Sequence, residues 1–311
     1  MKKKLFNLFV ILSCTFIIIY CIIYKSLIFE TIYFSMETWI KNIVPSLFPF
    51  FIISDILITY NVEKYIPSFI TKFFSKLFNV SDKLVSIFFL SMISGFPSSA
   101  KNTRKYYDLG LISLEEANHI LLFSHFSNPL FILSTVSVMF FNNEKLGLPI
   151  LISHYLGNII IGIILRNRAP LKHNNSNNVV KNKNIKFGLI FSKSIISAID
   201  TLLLILGTLT CFLIISTCII DFLNINLKFS ILIKSILEIT MGLKSLSLVN
   251  ISDLLKVVIT SMIISFGGLS VHMQILSQIS DTDISYSNFF IARVFHSIIS
   301  GIISLLICLI I

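Results

Sequence analysis

Two polar, kinked stretches interrupt the apolar runs of this chain. They read Ser-Gly-Phe-Pro-Ser-Ser-Ala-Lys at 94–101 and Phe-Gly-Gly-Leu-Ser-Val-His-Met-Gln at 266–274. Gly95, Gly267 and Gly268 tolerate turn geometry and Pro97 lacks an amide donor, so each stretch predicts a broken helix. A break frees amides at the start of the following helix, and such amides attract anions. Ser98, Ser99, Ser270 and His272 follow at once and add hydroxyl or imidazole contacts. The plainer reading is a structural kink whose serines bond back to carbonyls. Breaks in corresponding positions of two halves favour a substrate site instead. Each is also followed by an aspartate thirteen residues after a glycine, Asp108 after Gly95 and Asp281 after Gly268.

Ionisable residues inside apolar runs are costly and so are functional suspects. Arg293 and His296 stand three apart, on one face of the last helix. Beside Lys101 they could form a cationic surface for an anionic substrate; Lys101 with Arg104 and Lys105 could equally be a cytoplasmic charge patch. Glu238 suits pairing with a cation or carrying a coupling proton. His125 could be a proton site, or, like His296, a satisfied interior histidine. The five cysteines form no CxxC pair or Cys/His cluster, so no metal is expected. Without GxSxG, HExxH, P-loop or dinucleotide fingerprint, neither an enzyme nor a cofactor is expected.

The elements that must hold these residues are membrane helices. Hydrophobic residues make up 55% of the chain and charged residues 13%, where a soluble protein carries about a quarter charged. Mean hydropathy is +0.89. The net charge of +10 comes from lysines in loops between apolar runs, a topology signal and not a nucleic-acid surface. The expected fold is an all-α polytopic membrane protein. It has about six to eight transmembrane helices plus broken or re-entrant hairpins, in two pseudo-repeated halves.

Its divisions are a retained signal-anchor at 1–25, a first membrane half at 26–165, a basic cytoplasmic linker at 166–193 and a second half at 194–311. The linker carries seven Lys/Arg. Residues 26–44 read as interfacial, with Trp39 at headgroup level, and 46–60 as a short apolar run. Ser113 and Glu116 form a capping box that opens a crossing over 116–141, and 148–165 crosses back. Glu238 to Leu243 reads as a segment broken at Gly242.

These blocks resemble the YlbJ family of sporulation integral membrane proteins, within the wider nucleoside-recognition or Gate-domain group. The resemblance rests on 94–101, 108–117, Ser-Asn-Pro-Leu-Phe-Ile at 127–132, 238–243, 266–274, and 282–286 through Arg293 to His296. It implies a protein of the outer forespore membrane in a spore-forming bacterium, associated with moving dipicolinic acid, a pyridine dicarboxylate. That dianion suits helix amino termini joined by Lys101, Arg293 and histidine donors. The runner-up substrates are nucleosides or ions; a non-transporting scaffold for spore assembly is the alternative of another class. Oligomeric state and partner subunits are not legible.

Overall fold

Residues 2–167 and 186–310 are described in the computed structural model, and every regular element among them is helical. Most of the 166–193 linker therefore lies outside the described residues. The helices are α1 (Lys2–Ile23), α2 (Lys25–Thr38), α3 (Val44–Thr59), α4 (Ser68–Phe78), α5 (Asp82–Ser94), α6 (Ser98–Asp108) and α7 (Leu114–Leu121). There follow α8 (Gly147–Ile164), α9 (Phe187–Phe222), α10 (Leu227–Leu237), α11 (Ile239–Ser247), α12 (Asp253–Phe266), α13 (Gly268–Ile279) and α14 (Tyr286–Ile310). Among the described residues, six helical stretches are long and apolar enough to cross a bilayer, or seven if the pair α4–α5, bent by 96°, is one span. The protein is a polytopic α-helical membrane protein.

Two expectations fail at the first half's helices. Residues 26–44 and 46–60 are not an interfacial segment and a short run: α2 and α3 join through a π turn at Trp39–Ile43 into one 35-residue span. The wider turn stands directly before Pro45, whose ring has no amide to give the helix. Trp39 consequently lies against α9, its indole donating to the Leu202 carbonyl at 2.8 Å, rather than at headgroup level. Nor is 116–141 one crossing. The capping box forms as expected, but α7 ends at Leu121, residues 124–128 are unwound, and a π-helix resumes at Phe131–Phe140. Pro129 explains the interruption, because it has no amide and pushes the residue before it out of helical conformation. Asn128 then caps the new helix, its side-chain oxygen accepting the Leu130 amide at 2.8 Å.

The two expected breaks both occur, and they do different things. Across Gly95 the chain turns back. Ser81, just before α5, bonds Glu116 at 3.0 Å, Lys83 reaches the Leu111 carbonyl at 3.0 Å, and Tyr106 reaches Glu63 at 3.2 Å. The start of α5 and the end of α6 therefore share one face of the protein, and α5–α6 is a re-entrant hairpin. Across Gly267 the chain carries on, α12 and α13 forming one 27-residue apolar span. Phenylalanines lock the hairpin down: Phe78, Phe88, Phe123 and Phe126 interleave in one core cluster.

Candidate functional site

Four interruptions of helix converge inside the bundle. A Cβ at Gly95 would stand 2.7 Å from the Asn128 amide nitrogen, so the hairpin tip touches the unwound 124–128 segment backbone to backbone. Phe96 stacks on His125 with ring centroids 5.0 Å apart. A Cβ at Gly268 would come within 2.8 Å of the Ile239 side chain, which brings the α12–α13 break against a fourth one at Glu238. That last break falls at Glu238, not at Gly242 as the sequence suggested. Glu238 itself is extended and caps α11, its carboxylate accepting the Met241 amide at 2.8 Å. Gly242 serves packing: a Cβ there would stand 2.5 Å from the Ser235 Cα.

A small chamber of about 40 Å³ lies where the breaks meet. Phe96, Phe131 and Val271 give it apolar walls, and Ser127, Asn128, Glu238, Thr240 and Gln274 give it polar groups. Sequence reasoning singled out Glu238 here but missed Ser127, Asn128, Thr240 and Gln274 as lining residues. The available signal was the polar pair Ser127-Asn128 directly before Pro129 in an otherwise apolar run.

Behind the chamber lies a second polar layer. Arg293 is 0% exposed and donates to the carbonyls of Leu122 and His125, to the Asn158 side chain at 3.1 Å and to His296 Nδ1 at 2.9 Å. His296 Nε2 in turn donates to the His154 carbonyl at 2.8 Å. His154 Nε2 accepts the Ser127 amide at 2.9 Å, so its Nδ1 carries the proton and donates to Ser265. His272 donates to the Phe266 carbonyl and accepts from Tyr286, both at 3.0 Å. These three imidazoles are each fixed in one tautomer by their partners. His125 differs: among the described residues neither ring nitrogen has a hydrogen-bond partner, and it is fully buried. The Ser99 and Ser270 hydroxyls near the two breaks are likewise buried without a hydrogen-bond partner among the described residues.

Lys101 is not beside Arg293. It extends from α6 to α9, donating to the Ser197 carbonyl and the Thr201 hydroxyl, each at 3.0 Å. There it lines an opening of about 310 Å³ with Lys193, Asp200, Thr201 and Gln278. Gly95, Pro97, Ser98, Ser99, Gly267, Gly268 and Ser270 sit at or next to the breaks, while Arg293 and His296 belong to the layer behind them.

The two equally spaced aspartates meet at one residue. Arg104 of α6 bonds Asp108 at 2.7 Å and grips Asp281 with both terminal nitrogens, joining the ends of α6 and α13. The guanidinium holds the Asp281 carboxyl below the usual carboxylate range. A lowered carboxyl stabilises the joint above its unfolded pKa, near 4, and that contribution disappears as pH falls through the lower folded value. At pH 7, amides of 104–110 and 279–283 should therefore exchange faster in Asp281→Asn than in wild type. The difference should vanish in acid, where the wild-type pair is itself lost; equal exchange at pH 7 would show that the pair holds nothing.

The sequence is 29% identical to the sporulation integral membrane protein YlbJ of Bacillus subtilis (strain 168), over 89% of this chain and 77% of that protein. That likeness, along most of both chains, is to a sporulation integral membrane protein, and the long apolar helical stretches of this chain agree with a membrane protein. No family model matches the sequence, and no solved structure matches it. Non-helical backbone at membrane depth is tolerated only where protein or a wet cavity satisfies it. Arg293, Asn158 and His154 supply that satisfaction for the 122–128 stretch, Asn158 by donating to the His125 carbonyl at 2.7 Å and His154 by accepting the Ser127 amide at 2.9 Å.

Proposed function

We propose that this chain is a transporter of a small anion, with dipicolinic acid as its substrate and the outer forespore membrane as its place of action. The observation that carries the reading is the convergence of interrupted helices on one chamber inside a membrane bundle, the arrangement in which secondary transporters hold substrate and coupling ion. Phe96 and Phe131 suit the faces of an aromatic ring. Freed amides at the starts of α6 and α13, with Ser99 and Ser270, suit carboxylates. The opening beside Lys101 and Lys193 would gather the dianion first.

The chamber is small: about 40 Å³ holds a few water-sized groups and not an organic dicarboxylate. Transport on this reading requires the α5–α6 hairpin to move relative to α13, with Arg104 and Asp281 parting. Glu238 and His125 are the positions that would carry compensating or coupling charge. The family resemblance brings the specific substrate; the aromatic walls and anion-seeking helix starts are compatible with it.

The test is ligand stabilisation of purified protein. Dipicolinate at about 100-fold its dissociation constant should add roughly 2.7 kcal/mol and raise the melting temperature by several degrees, and uridine should not. Stabilisation by uridine and not dipicolinate would move the assignment to nucleosides. No shift with either would remove the substrate assignment.

A further inference from the structure

We propose that the chamber beside Glu238 is a Na⁺ site. The inference rests on the reading above in treating this chamber as the transport site. It adds that a dianion is not received there alone.

Glu238 is 2% exposed, and no basic side chain among the described residues forms an ion pair with it. Its carboxylate accepts the Met241 amide at 2.8 Å, a bond that favours the ionised form, whereas burial with no counter-ion disfavours it, so a cation beside it is what would keep the charge in place. An ionised carboxylate at the wall of a small chamber repels a dianion in the same space unless its charge is balanced. Something positive must enter first.

The chamber itself indicates which cation. One carboxylate balances one charge, so a monovalent ion is matched and a divalent one is not. Mg²⁺ gives up its waters reluctantly, and Ca²⁺ takes six to eight oxygens, several of them from carboxylates in the usual sites. About 40 Å³ leaves room for a small ion stripped of most of its hydration. Residues with oxygen donors line that space: Glu238, Thr240, Ser127, Ser46 and the side-chain amide of Gln274, while the Asn128 oxygen is already taken by the Leu130 amide. Ser127 is the second, independent pointer. It is 1% exposed, it lines the chamber, and its hydroxyl has no hydrogen-bond partner among the described residues. A proton on Glu238 would cancel the charge and leave Ser127 idle. A Na⁺ ion would engage both, at a break between half-helices where transporters hold such ions.

The experiment is equilibrium binding of ²²Na⁺ to the purified full chain in detergent, with no organic substrate present. Saturable binding is expected, displaced by unlabelled Na⁺ and Li⁺ and not by K⁺ or a bulky organic cation. Glu238→Gln should weaken it about tenfold or more, and the milder Ser127→Ala by about threefold, while Gly110→Ala, whose added methyl meets nothing within 4 Å, leaves it unchanged. Ser127→Ala keeps the test decisive if Glu238→Gln does not fold. Absence of saturable binding to folded wild-type protein would overturn the proposal, and so would wild-type affinity in both chamber variants. Because no dicarboxylate is used, failure here leaves the anion-transport reading standing, and failure of dipicolinate binding leaves this one standing.

Discussion

Arg293→Ala should be the most damaging single substitution in the bundle. The guanidinium satisfies two carbonyls of the 122–128 stretch and the Asn158 side chain, at a depth where lipid offers no replacement donors. Each acceptor left bare costs about 1–3 kcal/mol, so the sum over the three is roughly 3–9 kcal/mol, comparable with the whole stability of many domains. Thermal unfolding in detergent should place the variant far below wild type, or the protein should fail to accumulate. Arg293→Lys should recover only part of the loss, because one ammonium cannot reproduce the planar fork. His125→Ala is the informative control. Its ring nitrogens bond nothing, so its removal should cost packing alone while changing transport. Equal destabilisation by the two alanine variants would contradict the division between a supporting Arg293 and an unoccupied His125.

Gly95→Ala should rank second, by a different mechanism. Gly95 has φ 78° and ψ −178°, a region open in practice only to glycine, so alanine there costs about 1–3 kcal/mol from the backbone alone. Its methyl would also meet the Asn128 amide nitrogen at 2.7 Å. Asn128 has no freedom to retreat, since its side chain is bonded to the Ile93 carbonyl at 2.7 Å and caps the next helix. The hairpin tip should therefore lift from the unwound segment, opening the chamber and abolishing transport. Gly110→Ala is the matched comparison: φ is +65°, but nothing lies within 4 Å, and only about 1 kcal/mol is expected. Melting temperatures and substrate uptake of the two variants check this together. A Gly95→Ala protein that behaves like Gly110→Ala would remove the close approach from the account.

What was legible in the sequence follows from the range of the interactions involved. The capping box at Ser113 and Glu116 and the breaks at Gly95 and Gly267 are local, set by residues a few positions apart, and they were read correctly. The join of α2 to α3 was obscured because Pro45 and Pro49 look like terminators, whereas a π turn carries the helix past the first of them. The 124–128 break was hidden by strongly apolar flanks, although Asn128-Pro129 marks it. Gly242 looked like a break because glycine permits one; its real constraint is the approach of Ser235, which no local pattern reveals. Arg293 and Lys101 were grouped by charge alone. Their partners come from α7, α8 and α9, and only the packed bundle separates them.

The central claim is that this chain moves a small dicarboxylate through the chamber between its broken helices. Uptake of labelled dipicolinate into proteoliposomes containing only this protein tests it most directly, with Gly95→Ala vesicles in parallel. The account predicts saturable uptake by wild type, inhibited by unlabelled dipicolinate and not by uridine, and background counts for Gly95→Ala. Wild-type vesicles that hold folded protein and take up no more than empty ones would contradict it.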